Sequence, residues 1–137
     1  MKNSCVLLGD RHQGLRDSIR GLLETEFDTV FMVANRESLL EGAGCLNPAI
    51  VVIDMSLCDG DMHNLLTCVA ERTPEAKLLL ISVHDESTVV DAALLAGADG
   101  VVLKRSLGTD LMPAVDALLA GKSYVSPGIN KGTGLPP

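Results

Sequence analysis

Short apolar runs alternate with segments of helical periodicity over most of the chain. The runs lie at residues 5–9, 29–34, 49–53, 77–82 and 101–103. Most are apolar on both faces and too short to be helices, which is typical of strands buried in a parallel sheet. Five strands alternating with helices predict an α/β fold, a doubly wound five-stranded parallel sheet with helices on both faces.

Between the runs, apolar residues recur three and four positions apart, which predicts a helix after each strand. The predicted helical faces contain Leu15, Ile19, Leu22 and Leu23; Leu39 and Leu40; Met62, Leu65, Leu66 and Val69; Val89, Val90, Ala93, Leu94 and Ala96; and Leu107, Leu111, Val115, Leu118 and Leu119. Gly97 and Gly121 are expected to end the last two helices, with Pro113 in or near the first turn of the last one.

From Tyr124 onward the sequence has no periodicity and is rich in glycine and proline. Such a composition is typical of a linker. We therefore expect a single domain over residues 1–126, followed by a linker or tail at residues 127–137.

Hydrophobic residues make up 47% of the chain, but no apolar run reaches the length of a membrane span. The N-terminus also lacks the apolar stretch of a signal peptide, so we expect a cytoplasmic protein with no membrane partner. The four cysteines form no Cys-x-x-Cys pair. In a reducing compartment they are expected to be free thiols that behave as small buried hydrophobic residues.

The formal net charge of −7 bears on the partners of this chain. Binding to a nucleic-acid backbone requires clustered lysine and arginine, and base stacking requires aromatic residues, of which the chain has one Tyr, two Phe and no Trp. We therefore expect any contact with DNA to be made by another domain.

Polar residues stand at or just beyond the ends of four predicted strands. They are Asp10, Asp54, Ser82 and Lys104. Each alone is typical of a turn or a solvated strand end, but in a doubly wound sheet the carboxyl ends of the strands line the binding crevice. An acid, a hydroxyl and an ammonium group from three strand ends are thus expected to meet at one edge.

Five segments carry a further signal, in order along the chain: residues 6–12, 51–61, 81–85, 96–104 and 121–127. Together they are similar to the receiver domains of bacterial two-component response regulators, and the resemblance spans about residues 5–126. The last segment resembles the NarL/FixJ (LuxR-type) subclass. The resemblance implies the flavodoxin-like receiver fold and a role in controlling a transcriptional output, with no catalysis beyond the domain's own phosphorylation and dephosphorylation.

The resemblance also implies roles for individual residues. Asp54 would accept a phosphoryl group from a histidine kinase, and Ser82 and Lys104 would stabilise that group. Asp10, Asp54 and the backbone carbonyl of Ser56 would bind Mg²⁺, which prefers oxygen ligands. A homodimer is a further expectation, and DNA would be contacted only through a helix-turn-helix domain that is absent from this chain.

Several positions depart from the family pattern. Arg11 replaces an acid that binds Mg²⁺, which predicts a weakened metal site, and Val101 replaces the aromatic ring that normally changes orientation on activation. Cys58 and Met62 replace a frequent proline and glycine. We expect the Arg11 guanidinium to turn inward and bridge Asp10 and Asp54, although its long stem would also reach solvent.

Two functions remain open from the sequence. One is a phosphorylation-driven switch, and the other is an atypical receiver that acts as a phosphorylation-independent dimerisation or docking module, a role that Arg11 and Val101 favour. An aspartate-dependent phosphatase is disfavoured because Ser56 stands where a second carboxylate is needed. A flavin-binding role is disfavoured because the first loop is not glycine-rich and aromatic residues are scarce.

Overall fold

A computed structural model describes residues 3–129 of the chain. Within them the strands are β1 (Asn3–Gly9), β2 (Phe27–Val33), β3 (Ile50–Asp54), β4 (Lys77–Ser82), β5 (Gly100–Leu103) and β6 (Tyr124–Val125). The α-helices are α1 (Gln13–Leu23), α2 (Arg36–Cys45), α3 (Met62–Arg72), α4 (Ser87–Leu95) and α5 (Leu107–Leu119). Short 3₁₀ helices follow β3 at Met55–Cys58 and β5 at Lys104–Ser106.

All strands of the sheet are parallel, in the order β2-β1-β3-β4-β5-β6. The order changes direction between β1 and β3, which is the arrangement of a doubly wound sheet. The α/β fold class predicted from the sequence is confirmed, as is its flavodoxin-like architecture. The chain therefore has a crevice at the carboxyl ends of β1 and β3.

The predicted strand count was wrong by one, because Tyr124–Val125 forms a sixth strand beside β5. A strand of two half-buried residues is too short to produce an alternating pattern, so its sequence resembles a linker. Packing continues beyond it, since Ile129 is buried against the core. Residues 130–137 of the expected linker lie outside the described residues.

Alternate side chains of each central strand enter two separate cores. On one face, α2, α3 and α4 cover a core that includes Leu7, Val51, Ile53, Leu80 and Val101. On the other face, α1 and α5 cover a core that includes Val6, Leu8, Val52, Ile81 and Val102. Burial on both faces explains why these strands are continuous apolar runs.

Two local predictions were wrong. Pro113 lies in the second turn of α5, because the helix already begins at Leu107. Cys45 is exposed at the end of α2 and Cys68 is half-buried, whereas Cys5 and Cys58 are buried as expected. Cysteine is compatible with either environment, so its apolar neighbours in the sequence did not indicate which side of the helix it occupies.

No described helix combines the length and the apolar character that a membrane crossing requires.

Candidate functional site

Two acidic side chains lie side by side where the strand order changes. Asp10 directly follows β1, and Asp54 is the last residue of β3. Both are almost fully buried, with exposed fractions of 0% for Asp10 and 2% for Asp54. Charged groups are rarely buried without compensating partners, so the contacts of these carboxylates define the chemistry of the site.

Each oxygen of the Asp54 carboxylate has a partner. Lys104 Nζ lies 3.2 Å from Oδ1, and the backbone N–H of Ser56 donates to Oδ2 at 3.0 Å. Because β4 separates β3 from β5, the long Lys104 side chain crosses the end of β4 to reach the acid. The carboxylate is held by a cation on one side and by its own loop on the other.

The two oxygens of Asp10 differ in their surroundings. Oδ1 accepts a hydrogen bond from the His12 backbone N–H at 2.8 Å and lies 3.1 Å from His12 Nδ1. Oδ2 is buried and has no hydrogen-bond partner among the described residues. A buried carboxylate oxygen without a donor is costly, and a bound cation would remove that cost.

The described residues fit a divalent cation at this position. One ligand atom from each of Asp10, His12 and Asp54 lies within 4.8 Å of the others. Two carboxylates, one of which has an unpartnered oxygen, offer ligands that divalent ions accept. Ser56, the expected carbonyl ligand, also lines the adjacent cleft, together with His12, Met55, Val83, His84, Asp54 and Lys104.

Ser82, the fourth expected site residue, is fully buried at the end of β4 and does not line this cleft. Its hydroxyl donates to the carbonyl oxygen of His84 at 2.9 Å and accepts the His84 N–H at 2.9 Å. The structure therefore brings Asp10, Asp54 and Lys104 together, while the Ser82 hydroxyl is bonded to the loop that precedes α4.

The expected inward orientation of Arg11 was wrong. Arg11 Nη2 lies 2.5 Å from Asp59 Oδ1, and the Arg11 side chain is 44% exposed. Asp59 belongs to the loop after the 3₁₀ helix and has a left-handed backbone conformation, with φ of 50°. An exposed ion pair avoids the desolvation cost of a buried guanidinium group. Arg11 therefore does not pair with Asp10 or Asp54, and other cations can do so.

His12 is the residue of this site that the sequence did not single out. It is the N-terminal capping residue of α1, and its ring contacts Asp10. The sequence offered only a histidine two positions after an acid at a strand end. That pattern is common and does not by itself indicate a site. Only the turn between β1 and α1 brings the ring back towards the carboxylate.

Two buried residues lie near the site but are not part of it. Val101 is fully buried in the core under α4, so its side chain is part of the packing between β5 and that helix. Burial, together with the nearby charge of Asp54, raises the pKa of the Cys58 thiol to about 11. Cys58 is therefore a neutral packing residue beneath the loop after β3.

The sequence profile of the response regulator receiver domain matches residues 6–116. Among curated proteins, the transcriptional regulatory protein DegU of Brevibacillus brevis is 27% identical over 89% of this chain and 52% of its own length. The nitrate/nitrite response regulator protein NarL of Escherichia coli K12 is 28% identical over 88% of this chain and 57% of its own length. The chain thus spans about half the length of these relatives.

Solved structures agree with this relationship. A two-component response regulator of the LuxR family from Aurantimonas sp. SI85-9A1 has a TM-score of 0.85 and 28% identity, with 93% of each chain covered. The isolated receiver domain of RcsB from Salmonella enterica serovar Typhimurium, in the presence of a phosphomimetic, has a TM-score of 0.82 at 22% identity. The second similarity concerns the fold alone.

Proposed function

This chain belongs to the response regulator receiver family, and from that premise we propose that Asp54 accepts a phosphoryl group from a phosphohistidine of a histidine kinase. The observation that carries the proposal is the ion pair of 3.2 Å between Lys104 and an almost fully buried Asp54, beside the unpartnered oxygen of Asp10. Phosphoryl transfer depends mainly on positioning and on neutralising charge, which this arrangement supplies.

The transfer uses one carboxylate oxygen of Asp54 as the nucleophile. This oxygen forms a bond to phosphorus while the phosphorus–nitrogen bond of the donor breaks, and the departing imidazole nitrogen takes up a proton. The Lys104 ammonium group neutralises part of the charge that builds up on the phosphoryl oxygens. The product is an acyl phosphate on Asp54.

A divalent cation such as Mg²⁺, when bound, supplies further positive charge next to the transferred group. Asp10, Asp54 and the Ser56 carbonyl would hold it. The pairing of Arg11 with Asp59 supports this assignment, because the arginine makes no contact with either acid that competes with a metal ion.

Ser82 links the site to the rest of the molecule in this proposal. To donate to a phosphoryl oxygen, its hydroxyl must release the carbonyl oxygen of His84, to which it donates in this structure. That change frees the backbone just before α4. Since the buried Val101 has no aromatic ring to rotate, the change reaches α4 through the His84 backbone.

The partners follow from the same premise. The donor is a histidine kinase, the activated domain pairs with a second copy, and a separate DNA-binding domain makes the transcriptional contact. The net charge of −7 supports the last point, because a strongly acidic domain repels nucleic acid. The alternative of a phosphorylation-independent docking module was favoured by Arg11, which replaces a metal-binding acid, and by Val101. Neither the family match nor the relatives support that role, so we do not put it forward.

The proposal is tested with acetyl phosphate and Mg²⁺, followed by intact-protein mass spectrometry. Wild type is expected to gain one phosphoryl group and Asp54→Asn none. Asp91→Asn, which removes an exposed acid of α4, is the matched control and should be labelled like wild type. Labelling of Asp54→Asn to the wild-type extent would remove Asp54 from the reaction.

A further inference from the structure

We propose that His12 is a direct ligand of the cation site and that its imidazole makes the site prefer a transition-metal ion, represented by Co²⁺, over Mg²⁺. The inference rests on the cation site of the proposed function, but not on phosphoryl transfer itself. It concerns the chemistry of the ligand set, which the replacement of an acid by Arg11 has changed.

The geometry places the ring among the acids. Ligand atoms of His12, Asp10 and Asp54 all lie within 4.8 Å of one another, so a single ion can contact all three side chains. The His12 side chain is 61% exposed, which leaves the ring free to adjust and the site open to an ion from solvent.

An independent observation indicates that a ligand belongs here. Asp10 is fully buried, yet its Oδ2 has no hydrogen-bond partner among residues 3–129, although its Oδ1 has two contacts with His12. The Lys104 ammonium group pairs with Asp54. A cation between the two acids would satisfy the remaining oxygen.

The ligand types then determine which ion is preferred. Mg²⁺ requires oxygen ligands in a near-octahedral arrangement, whereas imidazole suits ions later in the first transition series. With residue 11 an arginine that is paired with Asp59, the side chains available are two carboxylates and one imidazole. The contact of 3.1 Å between His12 Nδ1 and Asp10 Oδ1 keeps the ring beside the carboxylate with which it would share the ion.

The competing explanation is that His12 only positions Asp10 through its hydrogen bonds. The backbone N–H of His12 would do so whatever its side chain, and an asparagine at position 12 would retain a side-chain N–H. The two roles therefore predict different effects of His12→Ala and His12→Asn. The difference is seen when the affinities for Mg²⁺ and Co²⁺ are measured on the same variants.

The experiment is calorimetric titration of the full chain with MgCl₂ and CoCl₂, in a Cys45→Ser background that removes the exposed thiol of α2. Wild type at position 12 is expected to bind Co²⁺ at least tenfold more tightly than Mg²⁺. His12→Ala and His12→Asn should both lower the Co²⁺ affinity at least tenfold and change the Mg²⁺ affinity less than threefold. His63→Ala, which removes an exposed histidine of α3, is the control and should change neither.

Proton NMR of the histidine rings supplies a second readout, with paramagnetic shifts of the His12 ring signals expected on Co²⁺ addition. Equal Co²⁺ affinity in wild type and His12→Ala would overturn the proposal, and so would an equal loss of Co²⁺ and Mg²⁺ affinity, which is the result expected for a positioning role. Co²⁺ preference without labelling of Asp54 by acetyl phosphate would leave this inference standing and reject the proposed function. Labelling of Asp54 without a preference for Co²⁺ would reject only this inference.

Discussion

At the scale of single residues, the balance of charge around Asp54 decides both stability and chemistry. Its carboxylate is buried next to a second buried acid, Asp10, and only Lys104 forms an ion pair with it among the described residues. Lys104 is itself about three-quarters buried, with 26% of its side chain exposed, so the pair is partly desolvated. Such a pair is sensitive to the loss of one partner, because the remaining charge stays buried.

We therefore expect Lys104→Met to destabilise the protein by about 1–3 kcal/mol, measured by urea unfolding without divalent ions. In an Asp54→Asn background the same substitution should cost less than about 1 kcal/mol, since no buried anion is left behind. Simple additivity of the two substitutions would show that the ion pair contributes nothing to folding.

The cysteines differ in reactivity because only the thiolate is a good nucleophile. With its pKa raised to about 11 by burial, the Cys58 thiol is almost entirely neutral at pH 8. We expect iodoacetamide at pH 8 to modify the exposed Cys45 within minutes and to leave Cys58 unmodified until the protein is unfolded. Peptide mass mapping measures both rates, and rapid native labelling of Cys58 would contradict its burial.

At the scale of secondary-structure elements, side-chain caps fix the starts of α2 and α3. The side chain of Asn35 accepts the Ser38 N–H at 2.8 Å at the start of α2. Asp61 does the same for Asn64 at 3.1 Å at the start of α3, immediately after the loop that carries Asp59. These caps satisfy backbone groups that a helix leaves unpaired, so the loop next to Asp54 has a defined end.

Glycines in a helix and in a strand are expected to respond in opposite ways to the same substitution. A Cβ at Gly21, in α1, meets no atom within 4 Å, so Gly21→Ala should stabilise the protein by about 0.5–1 kcal/mol through reduced backbone entropy. A Cβ at Gly100, in β5, would lie 3.0 Å from the Tyr124 carbonyl oxygen.

Gly100→Ala should therefore destabilise the protein by about 1–3 kcal/mol, because the backbone of β6 must move. The two variants are compared by thermal unfolding under identical conditions. A neutral Gly100→Ala would mean that β6 is not held against β5 in solution.

At the scale of the whole molecule, a buried polar network joins the segment after α5 to the sheet. Ser126 Oγ donates to Asp110 Oδ2 at 2.7 Å and accepts the Leu103 N–H at 3.0 Å. Ser126 and Asp110 are both buried, so water does not replace these bonds. The network ties α5, the end of β5 and the chain beyond β6 together, one residue from Lys104.

Loss of this hydroxyl leaves a buried carboxylate and a buried N–H short of a partner. Ser126→Ala is expected to lower the free energy of unfolding by about 1–3 kcal/mol, measured by urea denaturation. Ser123→Ala, at an exposed position three residues earlier, is the control and should change it by less than about 0.5 kcal/mol. Equal stability of both variants would indicate that the Ser126 network does not hold the chain beyond β6 against the sheet.

The sequence by itself determined the architecture and the edge at which the site lies. Strands buried on both faces must be apolar throughout, and helices that cover a sheet must be apolar on one side, so periodicity alone predicts the order of elements. Because parallel strands end at one edge, the positions of Asp10, Asp54 and Lys104 at strand ends were sufficient to predict their proximity.

Only the tertiary structure decided the direction of the polar side chains at this edge. Arg11 pairs with Asp59, which lies 48 positions away in the sequence, and the Ser82 hydroxyl bonds to the backbone of its own loop. Which partner a polar side chain contacts depends on the balance of desolvation and pairing with groups that no periodicity encodes. The short strand Tyr124–Val125 was missed for a related reason. It forms because β5 has an edge with unpaired hydrogen-bonding groups, and the local sequence does not encode that edge.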